Sequence, residues 1–269
     1  MELDNGYVLL NKSLISYGRH SRVFEGLNNV VVKIYKDNIA YERELCILKQ
    51  LHNKASVPEV LCSGNIDKSL KYIVQPRYDI TLHECIQING NMSIYNALYL
   101  LHELVVCLEE IHSLNIVHRD IKPSNIMLHK NSIVIIDFSL SIYDENEITK
   151  SCVGSPLFMS INAHTKKIKK YTYHDDLESA YYTFLYCYHG NLPWSVFIQE
   201  ETVKKEIFKK ILSAKKVHDR KFKKLCQNGE HEEILLEIEE FYKSKNTSLE
   251  YEQKNFYEKF TLKNSHNIF

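Results

Sequence analysis

The chain has 269 residues, 44% of them hydrophobic and 25% charged, with Lys plus Arg equal to Asp plus Glu at 34 each. A chain of that length buries a sizeable core, as one large domain or two lobes, and its composition is that of a soluble globular protein. A formal net charge of zero argues against a general nucleic-acid binder, and no stretch reaches the roughly 18 apolar residues of a membrane span.

The opening residues, Met-Glu-Leu-Asp-Asn-Gly, carry neither a basic leader nor an apolar run, and the seven cysteines form no Cys-x-x-Cys pair. The expectation is an intracellular protein, cytoplasmic or nuclear, with reduced thiols and no membrane attachment. Residues 7–10, 22–26 and 29–35 are short β-type runs rich in Val, Ile, Phe and Tyr, broken by Gly and Asn. Between the first two lies "ISYGRHSRVF". It can be read as a plain hairpin turn, or as a phosphate-binding loop of the form G-x-G-x-x-G-x-V. In the second reading Ser16, Gly18 and Ser21 stand at the glycine positions and Val23 at the valine. Glycine suits such a loop because backbone N–H groups must approach phosphates closely.

Lys33 ends the run Val-Val-Val-Lys and needs a carboxylate to hold it if it is to hold phosphates. The following helix-type stretch offers Glu42 and Glu44. They point to nearly opposite sides, and Tyr41, Leu45, Leu48 and Leu51 mark the apolar stripe. Glu44 falls within that stripe and Glu42 beside Lys49, so Glu44 is the expected partner of Lys33. Residues 57–66 and 70–76 read as two more strands, and residues 77–86 as a connector leading into a short helix. A long amphipathic helix is expected over 95–113, from Leu98, Leu101, Val105, Leu108 and Ile111.

That helix delivers the chain to His118-Arg119-Asp120-Ile121-Lys122-Pro123-Ser124-Asn125, followed by two strand-like runs and Asp137-Phe138-Ser139. Five fixed residues fit H-R-D-x-K-x-x-N. The residue types suit phosphoryl transfer, which asks a protein to place groups and offset charge. Asp120 would take the proton of an attacking hydroxyl, and Lys122 would offset charge on the transferred phosphate. Asn125 and Asp137 would supply oxygen ligands to Mg²⁺, a hard cation.

Together these motifs resemble the eukaryotic serine/threonine protein kinases, over nearly the whole chain. The resemblance implies an α+β bilobal fold, with a small β-rich lobe over 1–77 and a larger, mainly helical lobe over 78–269. It implies catalytic Asp120 and Lys122, and an ATP site formed by Gly18, Val23, Lys33, Glu44, Asn125 and Asp137. Asn125 and Asp137 would hold Mg²⁺. Protein substrates and a monomeric state are expected. Ser160-Ile161-Asn162-Ala163-His164 stands where most kinases have Ala-Pro-Glu and is similar to the casein kinase I family, as is the segment 175–194. Asp176 matches the aspartate with which kinases brace the catalytic loop.

Several positions depart from that family. Ser139 replaces a glycine; if the backbone there needs positive φ, the side chain costs roughly 1–2 kcal/mol. Ser155 replaces a threonine whose hydroxyl bridges towards Asp120 and Lys122, and Tyr181 replaces a helix glycine. Tyr173 and His174 replace a basic pair that reads acidic substrates. Residues 166–170, Lys-Lys-Ile-Lys-Lys, are either a compensating patch or a solvated loop. Residues 204–224 carry ten basic and two acidic residues. They are expected to be a solvated helix face, with an acidic partner, nucleic acid or an import receptor as the other readings. Activity without phosphorylation of Thr149 or Ser151 is expected. The reading from another class is a pseudokinase, a nucleotide-binding scaffold with little turnover.

Overall fold

The structure, a computed structural model, describes Leu3, Gly6 and residues 9–18, 20–130, 132–143, 148–149, 152–165, 169–200, 204–246, 248–251 and 253. Ser151, residues 166–168 and residues 254–269 lie outside the described residues.

The N-terminal elements are β1 (Leu9–Tyr17), β2 (Ser21–Gly26), β3 (Val30–Tyr35), α1 (Asn38–Gln50), β4 (Cys62–Asn65) and β5 (Lys71–Pro76). The strands form one antiparallel sheet in the order β1-β2-β3-β5-β4. β1 runs further than its Tyr-Val-Leu-Leu start suggested, because Leu14, Ser16 and Tyr17 pair with Phe24, Val23 and Arg22. Asn28 and Asn29, at φ 63° and 57°, turn β2 into β3; asparagine tolerates this left-handed backbone. The expected strand over 57–66 shrinks to β4. Pro58 precedes it, and a residue without an N–H cannot donate to a ladder. α1 begins where Asp37 accepts bonds from the amides of Ile39 (2.9 Å) and Ala40 (3.2 Å).

The rest is mainly helical. β6 (Ile80–Thr81), α2 (Leu82–Asn89), α3 (Ile94–His112) and β7 (Ile116–Val117) come first. β8 (Ile126–His129), β9 (Ser132–Ile135), β10 (Ile142–Tyr143) and β11 (Ile148–Thr149) follow. The chain continues through α4 (Ile161–His164), β12 (Lys169–Lys170), α5 (Tyr173–His189), α6 (Val196–Glu200), α7 (Lys204–Val217), α8 (Arg220–Asn228) and α9 (His231–Ser244). α3 and α5 lie together at the centre, with α9 on α3 and α8 on α5. The fold is α+β and bilobal, as expected. The largest core contains Leu104, Leu108, Ile135 and Phe138, and Ile47, Leu48 and Leu51 at the end of α1 belong to it. α1 therefore packs against both halves. Among the described residues no helix is long and apolar enough to cross a membrane.

Candidate active site

The loop after β7 converges on Asp120, which is buried. Its Oδ2 accepts from Lys122 Nζ (2.6 Å) and Asn125 Nδ2 (3.1 Å), and its Oδ1 accepts from the Ser155 amide (2.9 Å). Lys122 Nζ also donates to Ser155 Oγ at 2.9 Å, so the expected hydroxyl bridge is made to Lys122, while Asp120 is reached by the Ser155 amide instead. Behind the loop, Asp176 on α5 accepts from the amides of His118 (2.7 Å) and Arg119 (2.8 Å). A third contact, His112 Nε2 at 3.0 Å, completes its shell. Burial opposes the charge on Asp176, but the two histidines and the amides outweigh it and keep its pKa below the usual carboxylate value. Arg119 carries φ 69°. Its Nε donates to the Leu140 carbonyl (2.6 Å), and its guanidinium stands 5.1 Å from the Tyr171 ring centroid.

Lys33 on β3 reaches across to the second half of the chain. Its Nζ donates to both Glu44 oxygens (2.8 and 2.7 Å) and to Asp137 Oδ1 (2.8 Å). Glu42 instead pairs with Lys71 of β5. Burial pulls the Lys33 ammonium down, but Asp137 and Glu44 outweigh it and its pKa stands above the usual lysine value. Burial likewise opposes the Asp137 charge. Lys33 and the Ser139 hydroxyl overcome it and hold that carboxyl well below the usual range.

The backbone of Ser139 is not among the positive-φ residues; Asp137 is, at φ 68°. The condition for strain at Ser139 is therefore not met, and its Oγ donates to Asp137 Oδ1 at 2.7 Å. Phe138 is fully buried, edge-on to His118 at 4.8 Å.

Between the halves lies a cleft of ≈ 400 Å³ lined by Gly18, Val23 and Lys33 above and by Asn125 and Asp137 below. Its back edge is the connector 75–79. Gly18 lies at the tip of the β1–β2 hairpin, its amide bonded to the Ser21 carbonyl at 2.9 Å. A Cβ there would sit 3.2 Å from that carbonyl oxygen, tighter than ordinary contact. Asn125 and Asp137 can offer oxygens to a hard cation, and Lys33 and Lys122 can offer charge to phosphates.

Residues 17–263 match the protein kinase domain family. The chain belongs to the protein kinase family. Two relatives are named as a serine/threonine-protein kinase from Acanthamoeba polyphaga mimivirus and as a casein kinase I homologue from Encephalitozoon cuniculi. The first is 30% identical over 171 residues, covering 55% of this chain and 59% of the relative. The second is 30% identical over 179 residues, covering 61% and 55%. The matches thus span less than three-fifths of either relative.

The kinase-domain segment after β11 shows how its departures are accommodated. Gly154 has φ 105°, and a Cβ there would lie 2.5 Å from the Arg119 carbonyl oxygen, so this position needs glycine. Ser160 caps α4 through the Ala163 amide (2.9 Å) and bonds to Asp175. Asn162 Nδ2 donates to Asp175 Oδ2 at 3.1 Å. Tyr181 is buried against Phe184 and Phe222, which fills the space a helix glycine would leave. Tyr173 stacks on His231 and its hydroxyl meets Glu230 (3.2 Å), so it is taken up in packing.

Three features escaped the sequence reading. His112, the last residue of α3, was not singled out. The basic run 204–224 is not wholly a solvated face: Lys215 and Lys223 are buried. Lys215 follows Ile207 and Ile211 at four-residue spacing, a core-side position that its charge disguised. Arg43 Nη1 donates to the Ser139 carbonyl (3.3 Å), a contact without a local signal.

Proposed function

We propose that this chain is a serine/threonine protein kinase of casein kinase I type. It transfers the terminal phosphate of ATP to Ser or Thr hydroxyls of protein substrates. ATP with Mg²⁺ supplies the phosphoryl group and the cation that offsets its charge. Asp120, already an acceptor in three directions, takes the hydrogen bond and then the proton of the substrate hydroxyl. Lys122, 2.6 Å from it, stabilises negative charge at the point of transfer. Lys33, held by Glu44, orients the phosphates, and Asn125 and Asp137 ligate the cation. Gly18 and Val23 cover the cleft. With the small lobe taken as 1–77 and the large lobe as 78–269, residues of both line the cleft.

The observation that carries this reading is the convergence of Lys33, Glu44 and Asp137 within 2.8 Å, next to an Asp120 already bonded to Lys122 and Asn125. The casein kinase I assignment rests on the bonds of Ser160 and Asn162 to Asp175, which use a serine and an asparagine where Ala-Pro-Glu would offer neither. Transfer of labelled phosphate from Mg-ATP to casein by the native chain, absent in Asp137→Ala, is the expected result. No transfer, with ATP still raising the melting temperature, would favour the scaffold reading.

A further inference from the structure

Lys215 is fully buried in α7, and among the described residues no carboxylate lies within ion-pair distance of it. Its Nζ donates to the carbonyls of Pro156 (3.1 Å) and Met159 (2.6 Å) and lies 3.2 Å from His164 Nε2. The Tyr182 and Trp194 rings flank it, with centroids at 4.4 and 5.3 Å, and aromatic faces favour a cation. Burial lowers its pKa well below the usual lysine value, against Glu178 and with Lys223. As an ammonium it has three N–H groups to give and as an amine two, so both carbonyls are reached in either state.

Those carbonyls belong to one turn. Trp194 Nε1 takes the carbonyl between them, Leu157, at 2.9 Å. The amides of Phe158 and Met159 fold back on the Ser155 carbonyl at 3.0 and 2.8 Å. Ser155 is the residue whose amide and hydroxyl contact Asp120 and Lys122. Buried carbonyls without donors are costly, so a turn held from beneath at three carbonyls has one favoured position. The Pro156 carbonyl also accepts from His164 Nε2 at 3.0 Å, so the Met159 carbonyl, 56 residues away in sequence, is the one that leans most on Lys215.

We infer that Lys215 is a positioning residue for phosphate transfer. It fixes the turn Pro156–Met159, which holds Ser155 against Asp120 and Lys122. This rests on the kinase reading above.

The test uses the full chain with Lys215→Met, which keeps length and apolar packing but removes the donors. Lys215→Arg and Trp194→Phe accompany it, with exposed Lys209→Ala as control. The expected result for Lys215→Met is a loss of roughly 10–100-fold in kcat/KM for casein while the KM for ATP stays within about twofold. Amide hydrogen exchange over 156–164 rises about tenfold without a matching rise in α3. Arginine restores most of the rate, Trp194→Phe reproduces part of the loss, and Lys209→Ala changes nothing. The inference fails if Lys215→Met keeps casein kinetics and exchange at native values. It fails equally if rate, ATP affinity and melting temperature fall together with no recovery by arginine, the mark of a purely structural lysine. If the native chain transfers no phosphate, the kinase reading falls. The exchange data then still decide whether Lys215 holds the turn, and unchanged exchange overturns it.

Discussion

Glu42 and Glu44 sit two residues apart on one helix and have opposite fates. Glu44 is 1% exposed and chelates Lys33, whereas Glu42 meets Lys71 at the surface. Removing one member of a buried pair is costly, and Asp137 still faces Lys33 at 2.8 Å, so Glu44→Gln should destabilise by about 2 kcal/mol in urea unfolding, and Glu42→Gln by no more than about 0.5. Equal effects would show that the two carboxylates are interchangeable. Ser139 invites a sharper comparison. Its hydroxyl bonds to a carboxylate, and its backbone has no need of glycine. Ser139→Ala should cost about 1–2 kcal/mol for the lost bond. Ser139→Gly should cost a further ~0.5–1 kcal/mol of backbone entropy. A glycine variant more stable than the native chain would mean that strain is present after all.

Among the helices, the link of α3 to α5 and α9 runs through histidines. His112 Nδ1 lies 2.9 Å from His231 Nε2, while its other nitrogen faces Asp176. Burial and the neighbouring His112 lower the His231 pKa to about 4. Its unfolded value is about 6.5. Between those values the unfolded chain binds the extra proton, so this group's contribution is complete above about pH 6.5 and is lost as the pH falls towards 4. The melting temperature should therefore drop from pH 7 to pH 5, and His231→Gln should drop by less over the same interval. Parallel curves for the two proteins would remove His231 from the account. His118, also lowered by burial, adds to the slope in both proteins.

At the scale of the molecule, the end of α1 is shared property. Leu48 packs in the core that holds α3, β9 and Phe138, while Tyr41 and Leu45 of the same helix pack under the sheet. Leu48→Ala should cost about 2–4 kcal/mol and leave one cooperative transition. Trp194, the single tryptophan, is buried in the helical half and reports that transition. Its fluorescence midpoint should shift as much as the far-ultraviolet circular dichroism midpoint; separate shifts would show that the halves unfold independently. Much of this arrangement was legible locally. Alternating β-branched runs marked β2, β3 and β5, a four-residue apolar rhythm marked α1 and α3, and fixed spacing marked Asp120, Lys122, Asn125 and Asp137. Such signals are carried by neighbours in sequence and survive without knowledge of the fold. The choice of Glu44 over Glu42 was also local, since it follows from which side of one helix is apolar. The backbone at Ser139, the support of Asp176 by His112 and the burial of Lys215 were decided by tertiary structure. Their partners are distant in sequence, Arg43 96 residues from Ser139, His112 64 from Asp176 and Lys215 56 from Met159, and a lysine on the core side of a helix reads as solvated until the carbonyls it serves are brought beneath it.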